Sequence, residues 1–193
     1  GTSVNGSSAF GASINILTDK IAEKSFFESS NTVGSFNTIK NNFKFSTGLL
    51  NNAFEFSGRL SKIDSDGYID RASSNLKSYF LQFSYKKNKT LLKFLIFGGH
   101  EITYQAWNGI DLLTLENNRT YNPSGLYFDL DGNEKFHENE VDNYKQDHFQ
   151  FHWTQSVSNN LTSSLGLNLT NGRGFYEQYN ENGNEDYITR KWL

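Results

Sequence analysis

Apolar and polar side chains take turns through stretch after stretch of this chain, and that period of two constrains its fold more than any other feature. In Phe43-Lys44-Phe45-Ser46-Thr47-Gly48-Leu49 large apolar and polar residues alternate. Ala53 to Ile63 sets Phe54, Phe56 and Leu60 against Glu55, Ser57, Arg59 and Ser61. Leu76 to Lys86 sets Tyr79, Leu81, Phe83 and Tyr85 against Gln82 and Ser84, and Asp147 to Gln155 sets Phe149, Phe151 and Trp153 against His148, Gln150, His152 and Thr154. Leu161 to Thr170 places Leu161, Leu165, Leu167 and Leu169 opposite Thr162, Ser164, Asn168 and Thr170. Successive side chains point to opposite faces only in a strand, so these segments are strands with one apolar and one polar face. Leu91 to Phe97 is more uniformly apolar, and no segment carries a convincing helical period. The expected class is all-β.

The runs are about 9–12 residues long, against about 5–6 for an ordinary strand and about 9–11 for a tilted strand crossing a bilayer. Their connections differ in length. Leu50-Asn51-Asn52, Lys86 to Lys89 and Ser156 to Asn160 are short and polar, whereas Asp64 to Asn75, Glu101 to Asn143 and a segment from near Gly172 are long. Short turns at one end and long loops at the other mark an outer-membrane barrel. Composition agrees: only 36% of residues are hydrophobic, yet 16% are aromatic, with 17 Phe and 10 Tyr. A disordered chain is poor in aromatics. Proline, which cannot donate to a ladder, occurs once, at Pro123. Tyr79, Tyr85 and Trp153 are candidates for the aromatic girdles at the membrane interfaces.

Several function classes drop out. There is no cysteine, and the net charge of −3 with no basic stripe along the sequence argues against nucleic acid. No apolar run reaches the length of a transmembrane helix, and any export signal is expected upstream of Gly1. No phosphate-cradling glycine loop or HExxH pair is present, and Glu138 and Glu140 read as solvated loop charges, so no enzyme is expected.

The first 20 residues differ from the rest. Gly1-Thr2-Ser3 and Asn5 to Thr18 form a stretch of small residues feeding a short apolar strand, Ser13-Ile14-Asn15-Ile16-Leu17-Thr18. This stretch resembles the end of the plug domain of TonB-dependent outer-membrane receptors. The remainder of the chain resembles members of that family of the Bacteroidetes type. The matching stretches are Gly34 to Thr38, Ser46 to Leu49, Gly58 to Ile63, Ser65-Asp66-Gly67-Tyr68-Ile69-Asp70-Arg71-Ala72, Thr103-Tyr104-Gln105-Ala106-Trp107-Asn108-Gly109 and Asp142 to His148.

The resemblance implies that residues 1–20 close a plug and residues 21–193 begin an antiparallel transmembrane β-barrel. About seven to eight strands of an expected ~22 are then present, with an eighth starting at Tyr187 to Leu193. It places the protein in the bacterial outer membrane among its lipids, with the first strand, about Glu23 to Val33, running outward. Turns at Asn51, Asn88 and Asn159 then face the periplasm, and loops near Ser65, Tyr127 and Glu181 face outward. The implied function is import of a scarce nutrient, an iron–siderophore chelate first among them, powered by a TonB complex that grips a segment upstream of Gly1; a surface lipoprotein is a further possible partner. Two rivals stand beside it: a small passive barrel of the porin or adhesin kind, and a soluble β-sandwich binding module.

The same resemblance points to candidate site residues. In this family extracellular loops meet the ligand, so Tyr104, Trp107 and Tyr127 are the expected contacts, with packing inside the loop as the bland alternative. Arg59, Lys93, His148 and His152 are expected on the lumen face, the first two as partners for plug carboxylates. His148 and His152 lie about 13 Å apart along a strand, too far to share one metal ion. Asp129, Asp131 and Asn133 have oxygen ligands at alternate positions, but Gly132 sits fourth where a calcium loop of the EF-hand type wants its glycine sixth; a hairpin tip is favoured. No cofactor is expected.

Overall fold

A computed structural model describes residues 21–179 and the backbone of 191–192. The expected plug end, residues 1–20, lies outside the described residues. The strands are β1 (Phe26–Val33), β2 (Ile39–Ser46), β3 (Phe54–Ser65), β4 (Ser74–Lys87) and β5 (Thr90–Tyr104). After β5 come a short helix α1 (Leu112–Asn117) and a small hairpin, β6 (Leu126–Phe128) with β7 (Glu134–Phe136). The chain returns through β8 (Val141–Ser156) and β9 (Thr162–Tyr176), and β10 (Lys191–Trp192) pairs with Tyr176 and Phe175. The expected strand at Tyr187 to Leu193 is otherwise outside the described residues.

Seven long strands make one antiparallel sheet in the order β1-β2-β3-β4-β5-β8-β9. Every neighbour is also the next long strand in sequence, so the sheet is a meander. One of its short reversals is at Asn51 and Asn52, both left-handed at φ 48° and 51°, with Ala53 N–H donating to Leu50 O at 3.0 Å. Two left-handed residues in succession match the right-handed twist of the strands they join, and asparagine tolerates that conformation better than other non-glycine residues.

The expected faces hold, and the register joins them into rows. Phe54 faces Tyr85, which faces Leu92, then Trp153, then Leu165. The next row runs Phe56, Phe83, Phe94, Phe151, Leu167, and the one after it Gly58, Leu81, Ile96, Phe149, Leu169. A boundary row of Leu60, Tyr79, Gly98, Asp147 and Asn171 lies beyond them. Leu91 to Phe97 is settled by this register, with Leu92, Phe94 and Ile96 on the apolar face.

Burial is inverted relative to a water-soluble sheet. The apolar face is the open one: Phe83 is 44% exposed and Leu169 64%. The polar face holds the deeply buried groups, Gln82, Ser84 and Glu55, the last only 1% exposed. Glu55 Oε1 accepts from the Ser46 hydroxyl at 2.8 Å and from Ala22 N–H at 3.2 Å, tying the chain just before β1 to the wall. Gln82 Nε2 donates to Ser84 Oγ at 3.1 Å. Partners of this kind offset the cost of burying polar groups, although Glu55 Oε2 has none among the described residues.

Three sequence expectations shift. The first strand begins at Phe26 rather than Glu23. β3, β4, β5, β8 and β9 run past the apolar rows to 12, 14, 15, 16 and 15 residues, so the connections shrink to 66–73 and 105–140, and Gly172 lies inside a strand. The long loop is also structured, since it carries α1. That helix begins after Asp111, whose side chain accepts from Thr114 N–H at 3.0 Å and so satisfies one of the free donors of the first turn.

Candidate functional site

The polar face becomes a trough at the end nearest loop 105–140. Its volume is about 570 Å³, and Ser61, Ser78, Phe97, Glu101, Tyr144 and His148 are among the residues lining it. Phe97 and His148 are cross-strand neighbours whose rings stack 4.6 Å apart at 14°. His148 Nδ1 lies 3.0 Å from Thr170 Oγ1, so the imidazole is held on one face by an aromatic ring and at its edge by a hydroxyl. Tyr144 lies over the β9 backbone because Gly172 and Gly174 carry no side chain. A Cβ at Gly174 would sit 2.5 Å from Tyr144 Cδ2, and one at Gly172 would sit 2.9 Å from its hydroxyl. Glycine inside a strand weakens it, and a close-packed aromatic is what such a position permits.

The trough offers aromatic and aliphatic surface, hydroxyls, the His148 imidazole, the Gln146 amide and the Glu101 carboxylate. That mixture suits an amphipathic small molecule, held by stacking and oriented by a few polar contacts. Of the residues expected on this face, His148 is in the trough. His152 lies further along β8 and its Nε2 meets Gln150 Oε1 at 3.1 Å. Arg59 and Lys93 are on the polar face, opposite Phe80 and His152 respectively. Among the described residues no three metal-ligating side chains gather. Phe97, Tyr144 and Glu101 escaped sequence reasoning, although the period of two puts Phe97 and Glu101 on one face of β5 and Tyr144 on the same face of β8 as His148.

Above the trough the loops form a small core of their own. Arg71 sits in the left-handed region at φ 63°, and its guanidinium lies 3.6 Å over the Phe136 ring. It donates to the carbonyl oxygens of Asn122 and Ser124. Asn122 Nδ2 donates to Asp70 O and Gln105 O, both at 3.0 Å, and its Oδ1 accepts from Ser124 N–H. Loop 66–73 and loop 105–140 are thereby one unit.

The three expected contacts part company here. Tyr104 is 6% exposed, and its hydroxyl donates to the carbonyl oxygens of His137 at 2.6 Å and Ser124 at 3.2 Å; it belongs to the loop core. Tyr127 stacks on His137 at 4.3 Å, and His137 stacks in turn on Tyr179 at 3.6 Å. Trp107 is 58% exposed, touching Tyr176 edge-on with ring centres 6.3 Å apart. Of the three, Trp107 alone offers a large open aromatic face.

Asp129, Asp131 and Asn133 close the turn of the β6–β7 hairpin. Asp129 Oδ1 accepts from Asn133 N–H at 2.8 Å and Asp131 N–H at 3.0 Å, with Gly132 at φ 79° completing the reversal. The Asn133 N–H first of all, with the Asn133 amide and the Asp131 N–H, holds the Asp129 carboxyl below its ordinary value of 3.8. A carboxyl whose folded-state pKa is depressed stabilises the turn above its unfolded value, and that contribution is lost as pH falls through the folded one. In an NMR titration of side-chain carboxyl shifts, the Asp129 midpoint is therefore expected below the usual ~3.9. The hairpin amides of 129–133 should keep their dispersion until pH drops past that midpoint. A midpoint at or above the ordinary value would contradict the turn.

No family model, curated protein or solved structure matches this chain.

Proposed function

We propose that this sheet is part of the wall of an outer-membrane transport barrel, with the open apolar face in lipid and the polar face toward the lumen. One observation carries the reading: four successive rows of the exposed face are bounded at both ends by polar rows. At the turn end the bounding row is Lys87, Thr90, Gln155 and Ser163; at the loop end it is Lys62, Lys77, His100, Lys145 and Arg173. Lys77 and Lys87 lie ten residues apart on β4. That is about 33 Å along the strand, or about 25 Å of height at a tilt of about 40°, the height of the apolar band of a membrane barrel. No helix among the described residues is long and apolar enough to cross a membrane, which says nothing about strands.

The rival readings fare less well against the same sheet. A soluble sandwich needs a second sheet on the apolar face, and among the described residues the only other sheet is the β6–β7 hairpin in the loop. A small closed barrel needs its first and last strands to pair, whereas β1 has β2 as its partner among the described residues. Lipid does not tolerate an open edge, so further strands are called for.

The resemblance then gives the specific reading: a TonB-dependent receptor that imports an iron–siderophore chelate without making or breaking a bond. The ligand is met outside at Trp107 and passed over the trough of Phe97, Tyr144 and His148. The test is uptake of radiolabelled ferric chelates by iron-starved cells producing the intact protein. Uptake that collapses when the proton gradient is dissipated supports energy-coupled import. Uptake that persists, following the concentration gradient alone, would instead establish a passive pore.

A further inference from the structure

The loop-end bounding row has a charge pattern invisible along any one strand. Lys62 faces Lys77, Lys77 faces His100, His100 faces Lys145 and Lys145 faces Arg173, directly across β3, β4, β5, β8 and β9. With strands about 4.8 Å apart, this row is about 19 Å wide. All five residues are on the same face as Phe56, Phe83 and Phe94, one row beyond the boundary row. Like charges directly opposite one another in a sheet repel, and such a row is destabilising unless something anionic offsets it.

Among the described residues the offset is partial. Asp64 Oδ2 lies 2.7 Å from Lys62 Nζ, and Asp147 Oδ2 lies 3.6 Å from Lys145 Nζ. His100 Nε2 meets Asn143 Oδ1 at 2.8 Å. Asp147 Oδ1 also accepts the Tyr79 hydroxyl at 2.7 Å, and its single charge is shared between Lys145 and Arg173. Among the described residues four cations stand against two carboxylates, which leaves the row positive in a chain whose net charge is −3.

The geometry points to a binding belt for the phosphate groups of anionic lipids in the leaflet nearest the long loops. This rests on the membrane reading of the apolar face, and it adds a ligand for the outer surface. The belt is about 7 Å along the strands from the boundary row of Leu60, Tyr79 and Gly98, which is headgroup depth when that row ends the hydrocarbon. Long cationic side chains at that depth lay their stems on the apolar surface and reach the headgroups. A lipid is favoured over a free anion because acyl chains of the same molecule would lie on the apolar rows directly beneath. The width across five strands fits more than one phosphate at a time.

The test uses the intact protein reconstituted in vesicles of phosphatidylcholine alone or mixed with phosphatidylglycerol, followed by detergent exchange and native mass spectrometry of retained lipid. The wild type is expected to retain phosphatidylglycerol over phosphatidylcholine. The K77Q/K145Q/R173Q variant is expected to lose that preference about a hundredfold, since each of the three cations near an anionic surface contributes about a factor of five. The charge-preserving K77R/K145R/R173K variant should keep it. Insertion, measured by protease protection in pure phosphatidylcholine, should be equal for all three. Insertion with no phosphatidylglycerol preference overturns the belt and leaves the barrel reading standing; no insertion overturns both. If inorganic phosphate in excess strips the retained lipid from the wild type as fully as the glutamine variant loses it, the row is a free-anion site and the lipid assignment fails.

Discussion

Phe83→Arg is expected to destabilise the intact protein in a bilayer by about 2–4 kcal/mol, the cost of a cation near the midplane of a barrel's lipid face. Phe83 lies in the middle apolar row, flanked across the strands by Phe56 and Phe94 and 44% exposed. In water such an exposed position would accept arginine with little change, within about 0.5 kcal/mol. The two environments therefore predict opposite results from one substitution. Asn168→Lys supplies the comparison, because Asn168 lies on the polar face of β9 opposite Gln150; a cation there should leave stability nearly unchanged. Refolding into phosphatidylcholine vesicles across a urea series measures both. Equal midpoints for Phe83→Arg and wild type would place that face in water and end the barrel reading.

Arg71→Ala should release the loop core. The guanidinium serves two carbonyl acceptors, at Asn122 and Ser124, and covers the Phe136 ring. Asn122 and Ser124 are 1% and 3% exposed, so water cannot readily replace the lost donor. The Ser124 carbonyl keeps the Tyr104 hydroxyl at 3.2 Å, but the Asn122 carbonyl loses its donor, and leaving a buried acceptor unpaired costs about 1–3 kcal/mol, with charged partners at the upper end. Amide exchange within 105–140 is expected to accelerate by two orders of magnitude or more, equivalent to about 3 kcal/mol of local opening. The ladder amides between β4 and β5 should be unaffected. Arg71→Lys keeps the charge but loses the planar fork, so it should fall between the two. Unchanged exchange in Arg71→Ala would show that the loops are held by something else.

How far the fold and the site were legible in the sequence depends on how local each feature is. The alternation at Phe54, Phe56 and Leu60 or at Phe149, Phe151 and Trp153 is written within one strand and survives intact. Strand ends were not legible, because beyond the boundary row the alternation breaks down, with Ile63, Leu76, Ile102 and Tyr144 scattered among polar residues on both faces. Ser74-Asn75 and Asp142-Asn143-Tyr144-Lys145 have no alternation to see, yet they are laddered. Tyr104 read as a ligand contact because an aromatic in a polar loop looks available; its burial depends on the distant carbonyls of Ser124 and His137. The row of cations could not be seen at all, since Lys62, Lys77, His100, Lys145 and Arg173 meet only through the register of four strand pairs. The trough is intermediate: the face of each residue was readable, while the stacking of Phe97 on His148 needed the pairing of β5 with β8.

The meander order has a kinetic side. Five of the six pairings in the main sheet join strands separated by short connections, so each can form as a local hairpin. The pairing of β5 with β8 is different, because loop 105–140 intervenes. Lengthening a closing loop from about five residues to about 36 is roughly three doublings, an added entropic barrier of about 2 kcal/mol. The sheet therefore has a seam: β1 to β5 can zip as one unit and β8 with β9 as another, and their joining waits on the loop. Asn122, by bonding back to Gln105, and Arg71, by holding the middle of that loop against loop 66–73, shorten the path the chain must close, so the contacts that roof the trough also favour the meeting of its two walls.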